Sequence, residues 1–173
     1  MLSLRVYVIL ATVAAAAAVS QAFGRFSYAV LLTDIRDEFG IGNTLAGTFG
    51  SLNLVAYLAG SLIVSLFAAR FALARLAACS VAVVTAGLAM LAWAPSEVWV
   101  GGGLFLTGIA AAGVWIIAPA LATAELGDTR RGLAVGVAVS GIGIGIVLAA
   151  VLDTLMERWQ EVVPQVMRSA TSG

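Results

Sequence analysis

Long apolar stretches constrain this chain more than any other feature of its sequence. Four of them contain no charged residue and cover residues 45–69, 76–95, 98–124 and 132–152. A fifth, residues 6–33, opens the chain and carries a single charge, Arg25. Each stretch is long enough to cross the roughly 30 Å hydrocarbon core of a bilayer as a helix. Because 62% of the residues are hydrophobic and 10% are charged, we predict an all-α integral membrane protein with five spans.

The stretches are separated by short polar connections, so we expect successive spans to pack as antiparallel neighbours. Residues 1–152 are therefore predicted to form one helical bundle. Residues 153–173 contain both signs of charge and Pro164, and their apolar residues fall near one helical face. We predict an amphipathic interfacial helix there, with disorder after Met167.

Arginine placement predicts the orientation of the bundle in the membrane. Five arginines lie in the N-terminal segment and in the connections after the second and fourth stretches: Arg5, Arg70, Arg75, Arg130 and Arg131. Positively charged connections usually stay in the cytoplasm, which predicts an N-in, C-out topology. We expect a multi-pass protein in the plasma membrane of a prokaryote.

The polar composition excludes several classes of function. The chain has nine arginines and nine acids with no histidine, and this neutral balance gives no reason to expect nucleic acid as a partner. Its single cysteine, Cys79, cannot form an internal disulfide. No nucleophile–base pair, metal-ligand cluster or phosphate-binding loop is present in the sequence. We therefore expect no enzyme activity, no metal and no cofactor.

Small residues recur with one spacing in the second and fifth spans. Offsets of 0, 4, 9 and 13 relate Gly47, Ser51, Ala56 and Gly60, and likewise Gly132, Gly136, Gly141 and Gly145. Small-xxx-small steps let helices approach closely, so each span is predicted to contact neighbours on two sides. The shared spacing is typical of a three-plus-three inverted repeat that stops in its second unit. Chance matching is the alternative in a chain so rich in small residues.

Arg25 is the strongest candidate for a functional residue. An arginine near the centre of a membrane helix costs roughly 2.5–3.5 kcal/mol, so it usually faces a partner or a polar cavity. Gln21, Arg25 and Tyr28 are spaced i, i+4, i+7 and share one helical side. Three interpretations stay open for Arg25: attraction of an anionic solute, pairing with an acid of another helical bundle, or snorkelling to the outer headgroups.

A second polar stripe consists of Asn53 and Tyr57 in the second span. It lines the same cavity in one interpretation and makes interhelical hydrogen bonds in the other. Trp115 in the fourth span is either a cavity aromatic or a lipid-facing side chain.

Three segments of the chain resemble parts of the first helices of a major facilitator superfamily transporter. The segments at 24–32, 45–60 and 132–145 are most similar to the YbfB/YjiJ-type branch, in which Gly-Arg-Phe-x-Tyr ends the first helix and the fifth helix is glycine-rich. The resemblance implies a midplane cavity and alternating access between two bundles, so the chain corresponds to the first five helices of about twelve. It is then a truncated product or fragment.

The chain departs from the superfamily pattern between its second and third spans. Arg70 is kept, but Ala69 and Ala72 replace the usual acid and glycine, so an Asp–Arg gating latch is not implied. We therefore expect a secondary transporter of a small solute, completed by a second half or a second copy. The alternative is a non-transporting membrane bundle that binds another subunit, or an inactive gene remnant.

Overall fold

The structure, a computed structural model, describes residues 4–171. The side chains of residues 5, 25–27, 30, 31, 125, 128, 157 and 160–171 lie outside this description. Helix α1 (Leu4–Ala17) continues through a π-helical segment, Ala18–Phe26, into α2 (Ser27–Phe39). The later helices are α3 (Asn43–Ala68), α4 (Leu73–Ala92), α5 (Glu97–Leu126) and α6 (Arg131–Thr171).

The predicted all-α architecture is confirmed over the described residues. Five helical stretches are long and apolar enough to cross a membrane: Val6–Gly24, Asn43–Ala68, Leu73–Ala92, Glu97–Ala124 and Arg131–Met156. Each overlaps one of the five stretches predicted from the sequence. Many large apolar side chains on these helices are exposed, as expected where lipid rather than water surrounds the bundle.

Helix α5 is the centre of the bundle. It packs most extensively against α4 and α3, and it also contacts α1, the π-helical segment and α6. The expectation that successive spans are neighbours holds for α4 and α5 but is wrong for α3 and α4, which barely touch. The reason is that α3 and α4 each place their small residues against α5, so the central helix separates them.

The connections alternate between the two ends of the bundle. Residues 40–42 and 93–96 lie at one end, which we call the acidic end because its flanking residues include Asp34, Asp37, Glu38 and Glu97. Residues 69–72 and 127–130 lie at the other end, which we call the basic end because both connections contain an arginine. Gly40 (φ 61°) and Gly127 (φ 79°) follow α2 and α5 in a left-handed conformation that favours glycine.

The π-helical segment was not expected from the sequence. It spans nine residues and includes Gln21, Gly24 and the backbone of Arg25. Most π-helical turns in proteins are single-turn bulges, often at functional sites. Because i→i+5 bonding changes the angle between successive residues, the predicted alignment of Gln21, Arg25 and Tyr28 does not follow from α-helical spacing here.

The fifth span and the C-terminal tail form one helix. α6 has 41 residues, and at 1.5 Å per residue it is about 60 Å long, twice the hydrocarbon thickness. The backbone of the tail continues α6 up to Thr171, past Met167. Of the amphipathic face predicted for the tail, Leu155 and Trp159 are exposed, whereas the side chains of Val162 and Val166 lie outside the described part.

Candidate functional site

Asn53 connects α3 to the central helix. Its side chain is 5% exposed, and its amide nitrogen donates to the main-chain carbonyl of Leu104 at 2.7 Å. The same nitrogen lies 3.3 Å from the hydroxyl oxygen of Thr107, which itself donates to the Leu104 carbonyl at 3.1 Å. Since buried polar groups are costly unless they are hydrogen-bonded, this cluster fixes α3 against α5.

Gln21 connects the π-helical segment to the same helix. It is 3% exposed, and its amide nitrogen donates to the carbonyl of Ala111 at 3.0 Å. Leu104 and Ala111 are seven residues apart, which places their carbonyls nearly two turns, or about 10 Å, apart on a similar side of α5. Two different helices therefore hold α5 through amide side chains.

Tyr28 engages a different neighbour. Its hydroxyl donates to the carbonyl of Ala46 at 2.6 Å, and a Cβ placed on Gly50 would lie 3.6 Å from its ring. Thus Gln21 donates its hydrogen bond to α5, whereas Tyr28 donates to α3 and packs against a cluster that includes Val100 and Leu104 of α5. The two members of the predicted polar stripe therefore do not share a hydrogen-bond partner.

The remaining predicted cavity residues are described only in part. Tyr57 is half-buried, and Trp115 is 37% exposed. The backbone of Arg25 belongs to the π-helical segment, but its side chain lies outside the described residues. The cavity assignment of these residues stays a prediction.

Four of the eight recurrent small residues lie at close helix–helix contacts: Ala56, Gly60, Gly141 and Gly145. A Cβ on Gly60 would collide with the backbone of Ile109 in α5, and one on Gly141 would collide with the backbone of Ala14 in α1. A Cβ on Gly145 would lie 2.8 Å from that of Ala22. At these positions any side chain would force two helices apart.

The other half faces away from the bundle. Gly47 and Ser51 on α3 are exposed, as are Gly132 and Gly136 on α6. No described atom outside the local helix lies within 4 Å of a Cβ placed on any of these three glycines. Arg70 is also exposed, in the turn that follows α3.

Sequence reasoning missed Thr107. It is fully buried, and a Cβ on Gly87 of α4 would lie 2.8 Å from its methyl group, so Thr107 touches α4 as well as α3. A polar residue between glycines in an apolar span (Gly103 and Gly108) was the available signal. Among the described residues, no group of three or more His, Cys, Asp or Glu side chains is arranged to hold a metal.

The five apolar helices and their buried amide contacts are consistent with a membrane protein. A comparison with family models identifies the class of membrane protein. A family model described as "Uncharacterised MFS-type transporter YbfB" matches residues 17–163, from within the first membrane-capable helix to beyond the fifth. The chain belongs to this family. As a YbfB-type member of the major facilitator superfamily, it is a multi-pass membrane protein of a transporter class rather than an enzyme class. No curated protein and no solved structure matches the chain.

Proposed function

We propose that the chain acts as part of a secondary transporter that moves a small solute across the plasma membrane of a prokaryote by alternating access. The observation that carries this proposal is the YbfB-type family match across the five membrane-capable helices. Two features of the packing add support: close glycine contacts at corresponding positions of α3 and α6, and a pair of exposed small-residue faces.

The close glycine contacts follow the spacing of the predicted repeat. Gly60 in α3 and Gly145 in α6 occupy equivalent repeat positions, and each lies against the helix of the other repeat unit. The weaker match between the first and fourth spans pairs Ile109 with Ser20. Gly60 meets Ile109, and Gly145 meets Ala18 and Ala22, each two residues away from Ser20. Equivalent contacts of this kind favour an inverted repeat over chance spacing.

The exposed small-residue faces offer a place for a second helical bundle. Alternating access requires two bundles that rock around a central site, and close packing in lipid uses small residues. Gly47 and Ser51 on α3, with Gly132 and Gly136 on α6, are the faces that we assign to this contact. The second bundle is either further helices of the same polypeptide or a second copy of the chain.

Arg25 is the residue that we assign to the solute path. The free-energy cost of placing this arginine in a membrane helix is offset if it borders a water-accessible cavity and attracts an anionic solute. Tyr57 and Trp115, together with the less buried edge of Tyr28, are proposed to line the same path. Gln21 and Asn53 border it from within their interhelical contacts.

Uptake into membrane vesicles tests the proposal. Vesicles with and without the chain are offered isotopically labelled lactate, succinate, benzoate and glycerol, and accumulation is measured by mass spectrometry. We expect chain-dependent accumulation of at least one anion, loss with Arg25→Ala and retention with Arg25→Lys. A chain that is helical by circular dichroism but moves none of these solutes contradicts the proposal. It would favour a non-transporting bundle that binds another subunit through the exposed glycine faces.

A further inference from the structure

A cavity at the acidic end of the bundle adjoins the polar contacts described above, since Tyr28 and Leu104 line it. Its volume is ≈ 330 Å³, and it lies between the π-helical segment, α2, α4 and α5. This volume falls within the range of about 300–1,000 Å³ that is usual for small-molecule sites. The residues that matter for its chemistry are Phe23, Tyr28, Glu38, Phe39, Leu91 and Leu104.

The walls of the cavity are held in place by neighbouring contacts. Tyr28 is fixed by its hydrogen bond to the carbonyl of Ala46. Leu91 packs tightly on α5, since a Cβ on Gly103 would lie 2.7 Å from its Cγ. Leu104 is 2% exposed. A ligand that enters such a site has little protein ordering to offset.

The charge of the cavity favours a cation. Among the described residues that line it, Glu38 is the one charged side chain, and it is exposed at the rim. Three aromatic rings line the same space, and aromatic faces attract cations. The nearby end of α2 adds Asp34 and Asp37 against Arg36, and the first turn of α5 adds Glu97, so the local field also draws positive ligands.

We propose that this cavity is a binding site for an amphipathic monocation, an ammonium ion with a small aromatic or aliphatic body. Glu38 is its counter-ion, the rings of Phe23, Tyr28 and Phe39 contact the ammonium or the ring of the ligand, and Leu91 and Leu104 cover its apolar part. The site is distinct in chemistry from the anion attraction assigned to Arg25. The proposal concerns equilibrium binding, so its test does not depend on whether the chain transports a solute.

Calorimetry on the purified full chain in detergent tests the proposal with benzyltrimethylammonium as the probe. Phenylacetate is the matched anion, and benzyl alcohol is the uncharged control. We expect saturable binding of the ammonium ion, about tenfold or more tighter than that of either control. Glu38→Gln is expected to weaken ammonium binding by about tenfold or more, because it removes the counter-ion. Asp37→Asn removes the same charge one residue away, outside the cavity lining, and is expected to change binding by less than about twofold.

Three outcomes would overturn the proposal. If the ammonium ion shows no saturable binding, the cavity is not a binding site for it. Equal weakening by the Glu38 and Asp37 substitutions shows attraction to the whole acidic end. Equal affinity for the ammonium ion and benzyl alcohol shows an apolar cavity that suits a lipid tail. Because Glu38 is exposed, its substitution should leave the helical circular dichroism spectrum and the melting temperature unchanged.

Discussion

The side-chain amide of Asn53 lies 2.7 Å from the main-chain carbonyl of Leu104, so a single residue of α3 binds the backbone of the central helix. Gln21 in the π-helical segment makes the same kind of bond to the carbonyl of Ala111. In lipid there is no water to compete for these carbonyls, yet such bonds average only about 0.6 kcal/mol in membrane proteins. The amides therefore set which faces meet more than they determine the total stability.

Asn53→Leu is expected to lower the free energy of unfolding by about 1 kcal/mol, within the range measured for membrane hydrogen bonds. The substitution removes the donor but leaves Thr107 bonded to the Leu104 carbonyl, so no buried donor is stranded. The measurement is unfolding by sodium dodecyl sulfate in mixed micelles, followed by circular dichroism. Thr48→Val is the control, since that exposed hydroxyl bonds only within its own helix, to Thr44. Equal effects of the two substitutions would contradict the role of Asn53.

Gly60→Ala is expected to destabilise the chain by about 1–3 kcal/mol, because the added methyl group collides with the backbone of Ile109 and must separate α3 from α5. Gly47→Ala is the matched control in the same helix. No described atom outside the local helix lies within 4 Å of its added methyl group, and alanine favours helix by up to about 1 kcal/mol. The two variants should therefore shift the unfolding midpoint in opposite directions, or the second should leave it unchanged. A similar loss in both would show that the close contact is not the cause.

The helical architecture could be predicted from the sequence because lipid leaves few alternatives. Charge-free apolar stretches must satisfy their own backbone groups, and helices do so within the segment. Helix bounds were therefore close, as for α3, predicted over 45–69 and found at Asn43–Ala68. The order of neighbours could not be predicted this way, because it depends on which small residues meet. Gly87 and Gly60 both face α5 rather than each other.

The polar contacts were harder to assign from the sequence. Spacing placed Gln21 and Tyr28 on one side of a regular helix, but the π-helical segment Ala18–Phe26 lies between α1 and α2. Its residues carry no proline or charge run that would mark it. For Asn53 the sequence left a cavity role and an interhelical hydrogen bond open, and its partner Thr107 was not identified, since a lone threonine in an apolar span has no periodic signal.

Gly141→Ala is expected to destabilise the chain by about 1–3 kcal/mol, because α6 lies in close backbone contact with α1 at this position. The added methyl group would collide with the backbone of Ala14 and push α6 away from α1. Gly136→Ala is the control on the same helix, at a position where no described atom outside the local helix lies within 4 Å. Unfolding in mixed micelles again provides the readout. A neutral Gly141→Ala would show that α6 is not held tightly against α1.

Cysteine labelling should place the basic end of the bundle in the cytoplasm. Thr129→Cys reports on that end and Thr44→Cys on the acidic end, and both positions are exposed. Exposed Cys79 is first replaced by serine, so that the introduced thiol is the one that reacts. In intact cells, a membrane-impermeant maleimide is expected to label the cysteine at position 44 and to spare that at position 129 until the membrane is permeabilised, because arginine-rich connections stay inside. The reverse pattern would mean that the N-terminus is outside. Arg70 and Arg131 would then face the exterior, and the N-in, C-out topology predicted from the arginines would be wrong.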